Sequence, residues 1–188
     1  FVDFFKAPED WYGNSINVSI TRIIKYISFF IAILTPAFYI AMITYNQEII
    51  PTDLLISFSV QRNGVPFPAF IEAFLMILAF EIIKESEYRV PNSSGSALSI
   101  VGALILGDAA VSAGIVSPIM IIVIAISSIA GLIFSSLELV NALRFYKILI
   151  LVLSTILGVF GVFLGFLMLI FDIFTTKSLN YNYFYLEK

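Results

Sequence analysis

Residues 66–83 read PFPAFIEAFLMILAFEII and residues 97–113 read ALSIVGALILGDAAVSA. Both are greasy enough to lie in a bilayer, and both are interrupted by carboxylates: Glu72 and Glu81 in the first, Asp108 in the second. A carboxylate in hydrocarbon costs roughly 2.5–3.5 kcal/mol on insertion scales. Three such groups point to function or to polar contact: an ion path, a gate, or a contact between subunits. Nine residues separate Glu72 from Glu81, which at 100° per residue sets them on opposite sides of a helix. Glu81 lies one turn from Lys84 and is expected to pair with it locally. Glu72 has no such helical neighbour. Asp108 has three readings: a pore-lining or gating carboxylate, a structural pair with Lys84, Arg89 or Arg62, or a position nearer the aqueous edge than its segment suggests.

The surrounding chain settles the class. Of 188 residues, 60% are hydrophobic and 12% charged, with mean hydropathy +1.02; a soluble domain carries about 25% charged residues. Charge is absent from 26–47, 90–107, 113–137 and 148–171. Three of these stretches exceed the roughly 20 residues that cross the hydrocarbon as a helix. They are too continuous for the ~10-residue alternation of a β-barrel. The sequence predicts an all-α integral membrane domain with about four to five membrane segments. Its parts are a membrane-proximal lead-in over 1–22, a helical transmembrane domain over 23–174 and a polar, aromatic tail over 175–188.

The segments are placed by breakers and flanking charge. The first is expected over 23–45, kinked at Pro36, which lacks a backbone donor. A short helix follows Pro51, with Thr52 or Asp53 as its cap, and stops near Asn63-Gly64. Pro66 and Pro68 mark the start of the second segment, because proline pushes the residue before it into extended backbone; Pro91 marks a turn after it. The third segment, 97–113, is rich in small residues. Gly114 and Pro118 separate it from a fourth, about 116–136, and a last span covers 148–171. Arg22/Lys25, Lys84/Arg89 and Arg144/Lys147 would all be cytoplasmic if five segments cross, which leaves the tail outside. Gly102, Gly107, Gly114 and Pro118 are candidate packing positions. Gly161 and Gly165 form a GxxxG, which lets helix backbones approach closely.

Several functions are excluded or disfavoured. The net charge of −3 offers no basic patch for phosphates. With no Cys, disulfides and thiolate metal sites are impossible; with no His, the commonest metal ligand and general base is missing. No phosphate-cradling or dinucleotide-type glycine pattern occurs. Neither an enzyme, a cofactor nor a metal site is expected. The chain begins at Phe1 without a signal-peptide pattern, and is read as part of a longer protein.

An ordered set of short motifs carries a family resemblance: TPAFYIA at 35–41, IIPTDLL at 49–55, VPFP at 65–68, Glu72-Ala73, RVP at 89–91, IVGA at 100–103 and AGIVSP at 113–118. Together they resemble the membrane domain of the GerA family of spore germination proteins, A-type subunit, over about 9–166. The resemblance implies a role in nutrient-triggered germination in the spore inner membrane. It implies work with a transporter-like B-type subunit and a C-type lipoprotein, as a homo-oligomer forming a nutrient-gated ion channel. A large soluble domain usually precedes this region. Three features depart from the family pattern: 131–135 lacks a usual proline, 178–181 replaces a usual Gly-Val-Pro-Tyr close, and the long basic tail is absent. The alternative is a transporter-like or scaffold membrane protein of sporulation, acting in dipicolinate or ion release.

Overall fold

A computed structural model describes residues 15–89, 94–134, 137–175, 177–178 and 181–182, with side chains over 16–85, 101–134 and 139–175. Among the described residues seven α-helices carry the fold: α1 (Ser15–Thr44), α2 (Thr52–Arg62), α3 (Ala69–Arg89), α4 (Ser94–Ser112), α5 (Pro118–Leu132), α6 (Leu137–Leu157) and α7 (Val159–Thr175). A 3-10 turn, Gln47–Ile49, precedes α2, and Lys177–Ser178 pairs antiparallel with Tyr181–Asn182.

The central helix α1 packs on α5, α6, α7 and α3. It is described from Ser15, so it reaches into the stretch expected to be a lead-in, and nothing between Ser15 and Pro36 breaks it. Pro36 is fully buried within α1. A proline has no N–H, so the carbonyl four residues earlier, that of Ala32, loses its helical donor. Ser127 of α5 supplies the replacement, its Oγ donating to Ala32 O at 2.6 Å in a buried site. A defect in one apolar helix thereby becomes a polar tie to another, as nonaqueous surroundings require.

The turns follow the breakers. No helix runs through 65–68, and α3 begins at Ala69, directly after Pro68. Gly64 (φ 103°) and Gly114 (φ 66°) take left-handed backbone that favours glycine. Pro51, not Thr52 or Asp53, occupies the cap position of α2, and no side chain caps it; both expected caps lie inside the helix. Pro91 lies outside the described residues.

The expected last span, 148–171, is not one helix. Gly158 (φ 65°) reverses the chain between α6 and α7, which pack on each other as a hairpin. The Asn46 side chain accepts from the Val159 N–H at the turn (3.4 Å). The Gly161/Gly165 face is the seam of this hairpin. A Cβ at Gly161 would run into the backbone carbonyl of Leu153, and one at Gly165 would lie 2.7 Å from Ile150 Cγ1. Both glycines of the GxxxG thus lie against α6 within the chain.

Contacts along the bundle fix the helix directions. Phe29 meets Phe134, Glu72 meets Ser117, Glu81 meets Arg144, and Tyr146 meets Asp172. So α1, α4 and α6 run one way and α3, α5 and α7 the other. Six apolar helices alternate where four to five segments were expected, and both ends of the bundle's chain reach one end. That end carries Arg22, Lys25, Lys84, Arg89, Arg144 and Lys147, and is termed the cationic end. Helix α2 and the loops around Pro66 and Gly114 lie at the other. By length and composition α1 (over Ile16–Thr44) and α6 (over Leu139–Leu157) are able to cross a membrane alone; Val101–Ser112, Pro118–Leu132 and Val159–Thr175 are apolar but shorter.

The core forms two patches along α1. Ile40, Ile77, Met120 and Ile124 fill the patch toward α2; Ile33, Ala37, Leu143, Ile150 and Val162 fill the patch shared with α6 and α7. Large apolar side chains on the outer faces stay exposed, such as Phe160, Phe163 and Phe171 on α7.

Candidate functional site

Glu72 sits where four elements meet. The Pro68 carbonyl accepts from the Glu72 N–H (3.2 Å), which fixes Glu72 in the first turn of α3. On α5, Ser117 is the cap residue, with Pro118 behind it, and its side chain accepts from the Met120 N–H. Glu72 Oε1 then accepts from both the Ser117 N–H (2.7 Å) and the Ser117 hydroxyl. The carboxylate is completely buried. It lies at the N-termini of two helices, whose dipoles favour negative charge by about 0.3–1 kcal/mol each. Arg62, at the end of α2, brings its Nε to 3.9 Å from Glu72 Oε2, too far for a direct hydrogen bond. The Tyr39 hydroxyl feels both charges. Glu72 Oε2, Arg62 Nε and the Tyr39 hydroxyl are buried without hydrogen-bond partners among the described residues. A carboxylate enclosed in this way cannot line an aqueous path in this conformation. It ties α2, α3 and α5 together.

Glu81 faces the other side of α3, as the nine-residue spacing requires. Its partner is Arg144 of α6, whose Nε donates to Glu81 Oε2 at 2.8 Å. Glu85 lies 3.6 Å from the same guanidinium. The expectation of a partner one turn away on the same helix is thus corrected: a partly buried carboxylate gains more from a rigid guanidinium fork across the interface than from a flexible lysine. Lys84 points instead toward α5, its Nζ donating to Ser128 O at 3.2 Å. Lys147 on α6 is 5% exposed and lies within electrostatic reach of Lys84, Glu81 and Arg144.

Asp108 differs from both glutamates. It is exposed on α4, and neither Lys84 nor Arg62 reaches it in an ion pair or hydrogen bond; the Arg89 side chain lies outside the described residues. Arg62 is engaged at Glu72. Asp108 and Lys84 do line one cavity of about 720 Å³ between α3, α4 and α5. They sit at different levels, however. Gly107, beside Asp108, faces Ile121, whereas Lys84 reaches Ser128. Seven residues of α5 separate those levels by about 10 Å.

The candidate glycines divide. Gly107 is buried with Ile121 in ordinary contact range, Gly102 has open space around it, and Gly114 serves the turn. Sequence reasoning missed Ser117, Tyr39 and Ser127. Ser117 was legible as a cap, since Ser-Pro is a helix-start signal. Nothing local marks the other two.

The family model described as "Bacillus/Clostridium GerA spore germination protein" matches residues 1–187. Spore germination protein KA of Bacillus subtilis (strain 168) is 40% identical over 97% of this chain and 34% of its own length. Spore germination protein GerLA of Bacillus cereus is 36% identical over 97% of this chain and 37% of its own. YfkQ of B. subtilis, named as an uncharacterized membrane protein, is 36% identical over 97% and 36%. The chain spans about a third of the length of these relatives. No solved structure matches.

Proposed function

Because this chain belongs to the GerA family of spore germination proteins, we propose that it is the membrane part of an A-type germinant-receptor subunit, whose copies assemble with α4 toward a shared axis to form an ion path. It acts in the spore inner membrane with the B-type and C-type subunits that the family resemblance implies. The observation that carries the ion path is Asp108. It is the one candidate carboxylate left exposed, on a helix that packs chiefly on α3 and otherwise presents Val101, Leu104 and Ile105 outward. At membrane depth such a group is stable only against water or a neighbouring polar surface, and a ring of copies supplies both. The helix directions support an orientation with the cationic end in the cytoplasm, and with it both ends of the helical bundle.

Asp108→Asn keeps the shape and removes the charge. Abundance should stay normal, since no partner among the described residues is orphaned, while cation flux through reconstituted receptors falls or loses its preference. Normal abundance with unchanged flux and germination refutes the ion path.

A further inference from the structure

The junction around Glu72 holds three buried polar atoms that the described residues leave without hydrogen-bond partners: Glu72 Oε2, Arg62 Nε and the Tyr39 hydroxyl. Folded proteins pair nearly all such atoms, with protein or with ordered water. Ser117 cannot meet the need, because its N–H and its hydroxyl proton both go to Glu72 Oε1. The three demands are complementary. Glu72 Oε2 needs a donor, the Arg62 Nε–H needs an acceptor, and a phenol serves as either. The Tyr39 hydroxyl lies within electrostatic reach of both charges. Arg62 Nε and Glu72 Oε2 stand 3.9 Å apart, and one oxygen set about 2.9 Å from each would bridge them at an angle of about 85°. Arg62 and Glu72 together carry no net charge, so Glu72 repels an entering anion and Arg62 an entering cation. A lipid or peptide carbonyl could accept from Arg62 but has no proton for Oε2. Water does both from one atom. It also has a way in, because Arg62 is partly exposed and lines a cavity of about 220 Å³ with Gln47, Leu55, Phe58 and Ser59. The Gln47 amide and the Ser59 hydroxyl already donate to carbonyls four residues earlier, so the donors in that cavity are spoken for.

We propose that this junction is a site for one enclosed water molecule, which donates to Glu72 Oε2, accepts from the Arg62 Nε–H and shares a hydrogen bond with the Tyr39 hydroxyl. Such a set of partners is typical of water held inside a protein. The water joins three helices at the end opposite the cationic one: Tyr39 on α1, Arg62 on α2 and Glu72 on α3. This link matters most for α2, none of whose side chains is buried. Apart from the ring contact of Phe58 with Tyr39, 6.1 Å between centroids, the water is what ties α2 to the polar centre of the junction. The site depends on the fold and not on ion conduction.

Radiolytic hydroxyl labelling of the full-length subunit in vesicles tests this, because radicals formed from a bound water attack the side chain beside it. Tyr39 is 9% exposed, Phe29 6% and Tyr45 56%. Tyr39 should nevertheless be labelled at a rate close to that of Tyr45 and well above that of Phe29, which packs against Phe30 and Phe134. N-acetylimidazole, too large for the junction, should acetylate Tyr45 and spare Tyr39. Tyr39→Phe removes one of the water's partners and should lower the midpoint of thermal aggregation in detergent; were the hydroxyl buried without any partner, its removal would raise the midpoint instead. Labelling of Tyr39 no faster than that of Phe29 overturns the proposal, as does a midpoint that rises or stays unchanged in Tyr39→Phe. Acetylation of Tyr39 as fast as that of Tyr45 means that the junction is open to bulk solvent, and also overturns the enclosed site.

Discussion

Replacing Glu72 by alanine should damage the bundle more than replacing its charged neighbour Arg62, and the geometry says by how much. Glu72 Oε1 takes two buried donors from Ser117, each worth about 1.5–3 kcal/mol when the acceptor is charged. Its charge adds about 0.3–1 kcal/mol at each of two helix N-termini. Alanine removes all of this and strands the Ser117 N–H in the core; the terms overlap and sum to about 4–8 kcal/mol, and the range found when a buried ionic contact loses one partner, about 3–5 kcal/mol, sets the expected cost. Glu72→Gln keeps an acceptor for Ser117 but turns an amide N–H toward Arg62, and should cost about 1–3 kcal/mol. Arg62→Ala should cost only about 1 kcal/mol, because the guanidinium is partly exposed and makes no hydrogen bond to Glu72. At about 2–4 °C per kcal/mol for a chain of this size, Glu72→Ala should lower the midpoint of thermal aggregation in detergent by on the order of 10 °C. The other two variants should fall between it and the unsubstituted protein, with Arg62→Ala the mildest. If Arg62→Ala proves as damaging as Glu72→Ala, the ion pair rather than Ser117 holds the junction. If Glu72→Ala leaves the midpoint unchanged, the carboxylate is not buried as described.

Further outcomes follow from the other contacts. Ser127→Ala strands the Ala32 carbonyl and should cost about 1 kcal/mol; the cost should vanish in a Pro36→Ala background, where residue 36 regains its N–H, and a double-mutant cycle with zero coupling would contradict this. Gly161→Ala forces α6 and α7 apart and should cost at least the ~1–3 kcal/mol of overpacking. Gly165→Ala meets the side chains of Ile150 and Leu153 before the Ile150 backbone at 3.4 Å and should cost less, and Gly102→Ala should be neutral or stabilising by up to about 1 kcal/mol; thermal midpoints of the three variants check the order. Arg144→Met leaves Glu81 and Glu85 without their shared cation and should lower recovered protein, with recovery restored in part by adding Glu81→Gln.

What the sequence made legible is what depends on neighbours in the chain. Proline before α3, glycine before α5 and the nine-residue offset of Glu72 from Glu81 act through local backbone geometry, and each stands in the fold where the sequence puts it. The misplacements arise where an apolar run carries no breaker strong enough to be read. Residues 148–171 contain three glycines, and in a membrane segment glycine is common enough that none of them announces a reversal. Only the packing of α7 back onto α6 selects Gly158 as the turn. Adding that one reversal changes the parity of the helix directions, so a tail expected at the far end returns to the cationic one. The partners of the carboxylates were hidden for a related reason. Arg62 and Arg144 stand ten residues from Glu72 and 63 from Glu81, and sequence spacing alone cannot rank cations that the fold brings close. Asp108 was the opposite case: its apolar neighbours made a buried pair plausible, yet of the cations named for it Arg62 is held at Glu72 and Lys84 lies at another depth. A carboxylate that the described residues leave unmatched is the reason to look beyond one subunit, to water and to a second copy, for what stabilises it.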